Sequence, residues 1–254
     1  MLVPVIDISP FVNEIASSRA ARDQVVDQVA DACRNVGFLV ITNHGIASET
    51  IEHAFEAAKD YFDQPSEVKK QVSMSPEYPY GYESAEILSN SRKKNYGKAL
   101  PDLKETFQVC VGPDGHEPSD QEPGTEQIRA SAHTDYGSLT ILAVDAAPGG
   151  LQVRDLQGEW HNVKAPANSF VVNLGDLMQH WTNDQWRSTM HRVINPPSGC
   201  QSNRRQSIAF FHNINADTIV ECIATCQSPE NPAKYPPVLA GEYLMKKHSA
   251  AMGN

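Results

Sequence analysis

The second half of the chain is a succession of short apolar segments with turn-forming residues between them, and that rhythm limits the folds open to it. From residue 128 onward the segments read "SLTILAV", "GLQVRD", "EWHNVKA", "SFVVNLG", "TMHRVI", "QSIAFFHNI" and "TIVECIA", separated by Gly, Pro, Asn and Asp. They are too short for ordinary helices and rich in β-branched residues. Spaced strands of this kind predict an antiparallel sandwich or barrel. The tail, "PAKYPPVLAGEYLMKKHSAAMGN", predicts a closing helix from about Ala240.

The first half has a different texture. "VPVIDISPF" reads as a short strand ending at Pro10, followed by a helix with Ser17 or Ser18 as N-cap. Val25, Val29, Cys33 and Val36 recur at helical spacing, and Gly37 suits the stop. "FLVIT" is a compact buried strand, closed by Asn43-His44-Gly45. A second helix from about Ser48 carries Ile51, Phe55, Ala58 and Phe62 on one face. Residues 73–104 read as loop and "ETFQVCV" as a strand. The stretch "GPDGHEPSDQEPGTEQ", residues 112–127, has the composition of a linker. The expected organisation is therefore a mixed α/β region over 1–111, a short linker over 112–127, and a β-rich core over 128–254.

Charge and cysteines exclude several classes. The net charge of −10, with no basic cluster interleaved with aromatics, argues against nucleic acid as a partner. No apolar run has the length of a membrane span, and the N-terminus has no secretory pattern. The five cysteines form no paired framework, which points to reduced thiols in a cytoplasmic protein.

The chemistry concentrates in three places. In "SAHTDYGSLTIL", His133 and Asp135 stand two apart, and on a strand such residues share a face. An imidazole nitrogen and a carboxylate oxygen suit a borderline divalent ion such as iron. The pair alone is weak evidence, since chance supplies about one His-x-acid pair in a chain of this composition. His191, in "STMHRVINP", adds a second strand-borne histidine. Two histidines and a carboxylate form the facial triad of non-haem iron sites, which leaves positions open for other ligands. Third, Arg205 and Ser207 in "RRQSIAFF" again stand two apart. A guanidinium forks onto a carboxylate, and a hydroxyl adds a donor. Because Arg204 adjoins Arg205, at most one of them faces inward. Asn173 and Asp176, in "VVNLGD", read as turn and sheet-satisfying groups rather than ligands. Phe211 shares the strand face of Arg205 and Ser207. The other seven histidines have no companion at ligand spacing.

Taken together, His133-x-Asp135, His191 and Arg205-x-Ser207 resemble the signature of the iron(II)- and 2-oxoglutarate-dependent dioxygenases, in particular the isopenicillin N synthase-like branch. "GLQVRDLQGEW", "FVVNLGDLMQHWTND", "ACRNVGFLVITNHGI" and "LPDLKETFQV" are similar to that branch as well, so the resemblance covers nearly the whole chain. It implies a mainly β protein with flanking helices around a double-stranded β-helix (jelly-roll) core. It implies iron(II) on His133, Asp135 and His191, with 2-oxoglutarate as cosubstrate on Arg205 and Ser207. It also implies O2 as the oxidant and hydroxylation, desaturation or cyclisation of a small organic substrate, releasing succinate and CO2.

One departure stands out. The branch places several tens of residues between the "ETFQV" strand and the His-x-Asp motif, among them helices that back the sheet. Here only 112–127 intervene. A shortened segment predicts a sheet lacking part of its usual cover. It also raises a second reading, a metal-binding but catalytically impaired relative acting through a partner. A third, a zinc hydrolase on the same triad, has no use for a dicarboxylate clamp.

Overall fold

The computed structural model describes residues 3–13, 17–75, 80–84, 104–109, 129–145, 150–195 and 205–252. The linker at 112–127 and Arg204 lie outside these residues, as does most of the stretch read as loop over 73–104.

The N-terminal part opens with β1 (Val5–Asp7) and a single helical turn, α1 (Ser9–Val12). The strand therefore ends before Pro10. Proline sits instead in the first turn of α1, where its missing N–H is not needed. Helix α2 (Arg19–Asn35) begins at Ser18, whose side chain caps the Ala21 N–H at 3.2 Å. It buries Val25, Ala32 and Cys33 and stops at Gly37, where φ is +71°. Then come β2 (Phe38–Thr42), α3 (Ser48–Phe62) and α4 (Ser66–Lys69). Strands β3 (Gly81–Glu83) and β4 (Thr106–Gln108) pair antiparallel, so a strand lies where loop was expected.

The predicted β-rich half contains β5 (Ala130–His133), β6 (Leu139–Val144), β7 (Leu151–Arg154), β8 (Trp160–Asn162) and β9 (Phe170–Leu174). A helix, α5 (Asp176–Trp181), follows β9; the strand rhythm gave no sign of it. Strands β10 (His191–Val193) and β11 (Ser207–His212) come next. The "TIVECIA" segment yields only the two-residue β12 (Ile219–Val220) before the chain coils through Ala224–Cys226. A short β13 (Val238–Leu239) pairs with β12, and α6 (Ala240–Met252) begins where the tail predicted.

Two sheets organise these strands, in the orders β1-β2-β9-β6-β11 and β5-β10-β7-β8. The N-terminal region thus contributes β1 and β2 to the sheet that holds β9, β6 and β11. Period-two alternation decides what each face meets. Phe38, Val40 and Val171 point towards Leu151 and Val153 of the other sheet, with Leu142 and Val193 packed alongside. Leu39 and Leu174 point the opposite way, onto Val25, Ala32 and Cys33 of α2. Helix α5 packs through Leu177 against Val220 and Ala240.

Strand β11 lies at the end of the five-stranded sheet, pairing with β6 over its full length. Phe210 is 60% exposed and Phe211 58%, and Ile208 is also exposed. Ile208 and Phe210 share one face of this strand and Phe211 lies on the other, so both faces of the edge are exposed.

Gly37 links the fold to the loop that delivers His191. A Cβ on Gly37 would collide with the Arg187 carbonyl oxygen and the Thr189 hydroxyl, in a left-handed backbone that side chains avoid. Gly37→Ala is therefore expected to destabilise by roughly 1–3 kcal/mol, seen in a thermal melt as a loss of several degrees in Tm.

Candidate metal centre and cosubstrate cleft

His133 and His191 are directly opposite each other on β5 and β10. Their rings lie 4.2 Å apart between centroids, and Phe38 meets the His191 ring edge-on at 5.2 Å. Each ring is tied back to a backbone carbonyl two residues before it. His133 Nδ1 lies 2.6 Å from the Ser131 carbonyl oxygen, and His191 Nδ1 lies 3.1 Å from that of Thr189. A carbonyl can only accept, so Nδ1 carries the proton and Nε2 presents its lone pair. Both Nε2 atoms face the same oxygen, Asp135 Oδ1, at 3.7 Å from His133 and 3.5 Å from His191.

Asp135 does not lie on a strand. The β5–β10 pairing ends at His133, and Asp135 falls in the connection to β6. Strand alternation thus gives the right neighbours for the wrong reason. The bend is set by α5, whose Asp176 N–H donates to the Asp135 carbonyl at 2.8 Å. The Leu177 N–H reaches the Tyr136 and Gly137 carbonyls at 3.3 and 3.2 Å. The carboxylate's other oxygen, Oδ2, accepts from Asn173 Nδ2 at 2.7 Å and from the Thr140 hydroxyl.

One ligand atom from each of His133, Asp135 and His191 lies within 4.8 Å of the other two. Atoms each about 2.1 Å from one divalent ion stand roughly 3–3.5 Å apart, so the pocket fits an ion after small adjustments. Burial, and then the neighbouring His191, push the His133 pKa down to about 3, which keeps the ring neutral as a ligand must be. Burial opposes the charge on Asp135. The two imidazoles and the hydrogen bonds from Thr140 and Asn173 outweigh it, holding the carboxyl below its usual range.

Arg205 lies two residues before β11 rather than on it, and its Nη1 donates to Ser207 Oγ at 3.3 Å. Its stem lies over Gly150, where an added Cβ would come within 3.2 Å of the Arg205 Cδ and Nε and 3.3 Å of Val193. Val193 is two residues along β10 from His191, so Arg205 and the third candidate ligand both border the same stretch of that strand. Burial lowers the Arg205 pKa and Asp145 nearby opposes the effect, leaving a charged group well suited to an anion. Phe211 faces the same side as Ser207 and sits opposite Thr140.

Asp176 is no ligand. Its carboxylate accepts from Ser188 Oγ at 2.8 Å, Lys247 Nζ at 2.6 Å and Tyr243 OH at 3.2 Å, which fastens α6 and the approach to β10 onto α5. Thr140 went unnoticed in the sequence, where a threonine inside "SLTIL" is an ordinary strand residue.

Comparison with known proteins agrees with this arrangement. Residues 3–130 match the family of non-haem dioxygenase N-terminal regions named for morphine synthesis, and residues 105–214 match the 2OG-Fe(II) oxygenase superfamily. The chain belongs to the 2OG-Fe(II) oxygenases. It is 28% identical to rice (Oryza sativa) homoarginine-6-hydroxylase 2-ODD-233, over 96% of both chains. It is 27% identical to the 2-oxoglutarate-Fe(II) type oxidoreductase hxnY of Emericella nidulans, over 98% of this chain and 90% of that one. A full-length Neurospora crassa protein crystallised in complex with alpha-KG superposes with a TM-score of 0.81 at 25% identity, covering 96% of this chain and 95% of that one. The fold is accordingly the jelly roll of these enzymes, here with two open sheets, and iron(II) and 2-oxoglutarate are the family's cofactor and cosubstrate. The alignment with the rice enzyme runs over 318 positions against 254 residues in this chain, so the relative carries stretches without counterpart here.

Among the described residues, no helix is long and apolar enough to cross a membrane. Cys33, Cys222 and Cys226 are free thiols.

Proposed function

We propose that His133, Asp135 and His191 hold iron(II), that Arg205 and Ser207 hold the far carboxylate of 2-oxoglutarate, and that the enzyme hydroxylates, desaturates or cyclises a small organic substrate. The observation that carries this reading is the convergence of both histidine Nε2 atoms on one oxygen of Asp135. Iron with 2-oxoglutarate and O2 supplies the oxidising chemistry, releasing succinate and CO2. The chain's own residues perform the rest. Ser131 and Thr189 fix the imidazole tautomers through their carbonyls. Arg205 sets the direction of the keto acid, and three ligands on one side leave the opposite side open. Phe211 offers an aromatic surface beside the site for an organic substrate. Free thiols and the acidic surface support a cytoplasmic setting.

The test is spectroscopic. Iron(II) and 2-oxoglutarate added without oxygen should give a visible metal-to-ligand charge-transfer band, and admitting oxygen should yield succinate. Absence of the band sinks the proposal. Homoarginine and thymine are the first substrates to try. The rice relative is named for the former, and the N. crassa protein has been crystallised with the latter at 25% identity.

A further inference from the structure

The two sheets contribute differently to the centre, and the difference reveals a device around Asp135. The four-stranded sheet supplies a cross-strand pair of imidazoles, His133 opposite His191. The five-stranded sheet supplies a cross-strand pair of neutral donors, Thr140 opposite Asn173 on β6 and β9. Asp135 sits in the connection between β5 and β6, with one carboxylate oxygen facing each pair.

We propose that Thr140 and Asn173 are positioning residues which together occupy Asp135 Oδ2, so that the carboxylate offers the metal only Oδ1. The proposal rests on the reading that the triad holds the metal. Three observations support it. Both donors are almost fully buried, at 5% and 3% exposure, and the Asp135 side chain is only 10% exposed, so water has little access to this contact. Both are uncharged, so they orient the carboxylate without neutralising it. And Asp135, being off the strand, has no regular backbone pairing to aim its side chain. A carboxylate free to rotate can bind an ion through both oxygens, and that would consume one of the positions the cosubstrate and oxygen need. Groups behind a ligand commonly govern metal affinity in this way.

The test replaces each donor by an apolar residue of similar shape, Thr140→Val and Asn173→Leu, with Thr140→Ser as the conservative control. Cobalt(II), a spectroscopic substitute for iron(II), is titrated into each protein without oxygen while its visible absorption is recorded. The Val and Leu variants are expected to bind cobalt(II) about 10–100-fold more weakly, with altered band positions and intensity as the coordination number changes. Thr140→Ser should keep the wild-type spectrum and stay within about threefold in affinity, because its hydroxyl remains. Melting of the metal-free proteins separates positioning from support of the fold. A lower Tm with unchanged cobalt affinity and spectrum would overturn the proposal. Should Asn173→Leu fail to fold, Thr140→Val alone decides, since both donors address the same oxygen. If wild-type protein itself takes up no cobalt(II), the metal reading falls and this inference with it; if wild type binds and the variants bind alike, only this inference falls.

Discussion

His133→Ala is expected to abolish iron(II) binding and with it all succinate formation. The substitution removes one of three ligand atoms and leaves Asp135 Oδ1 facing His191 alone, at 3.5 Å. Loss of a group merely supporting a ligand costs about 10–100-fold in affinity, and loss of the ligand itself should exceed that. The His133 side chain is 16% exposed, so the alanine variant leaves a small cavity between the sheets and its fold must be checked beside its metal binding. The measurement is an anaerobic iron(II) titration on the variant beside wild type, with circular dichroism to show that the fold is kept. A folded His133→Ala protein that still binds iron like wild type would place the metal elsewhere.

Arg205→Ala should act on the other ligand. Iron affinity is expected to stay near wild type while the KM for 2-oxoglutarate rises. Truncating one partner of a buried charge pair costs about 2–5 kcal/mol, equivalent to at least roughly 30-fold. Arg205→Lys should recover part of the loss, because an ammonium keeps the charge but not the planar fork. Ser207→Ala, removing a single hydroxyl, should cost about 1 kcal/mol. Steady-state succinate formation against 2-oxoglutarate concentration measures all three. If Arg205→Ala and His133→Ala had equal and mild effects, the division of labour drawn here would be wrong.

Much of the site was legible because its parts sit on strands whose alternation is strong. His191 on β10 and Ser207 on β11 fall where spacing and strand texture put them, and Ser18 and Gly37 bracket α2 as capping chemistry requires. Asp135 shows the limit of that reasoning. Spacing of two implies a shared strand face, but only the partner strand decides where pairing ends, and β10 stops pairing with β5 at His133. Thr140 escaped for a related reason, and Asn173, though read as a non-ligand, gave no sign that it faces Asp135. Their role depends on a cross-strand register between β6 and β9, distant in sequence, which no local pattern encodes. Helix α5 was missed because its six residues are too few to display a helical period. Its importance lies in backbone N–H groups that hold the Asp135 connection, and every residue type except proline offers those.

The centre straddles the seam between the two β layers. His133 and His191 belong to one, while Asp135 is gripped by Thr140 and Asn173 of the other. A captured ion would therefore act as a rivet, resisting any slide of one layer over its neighbour. On the proposed reading, metal supply is then expected to bear on how long the folded enzyme endures, as well as on whether it turns over.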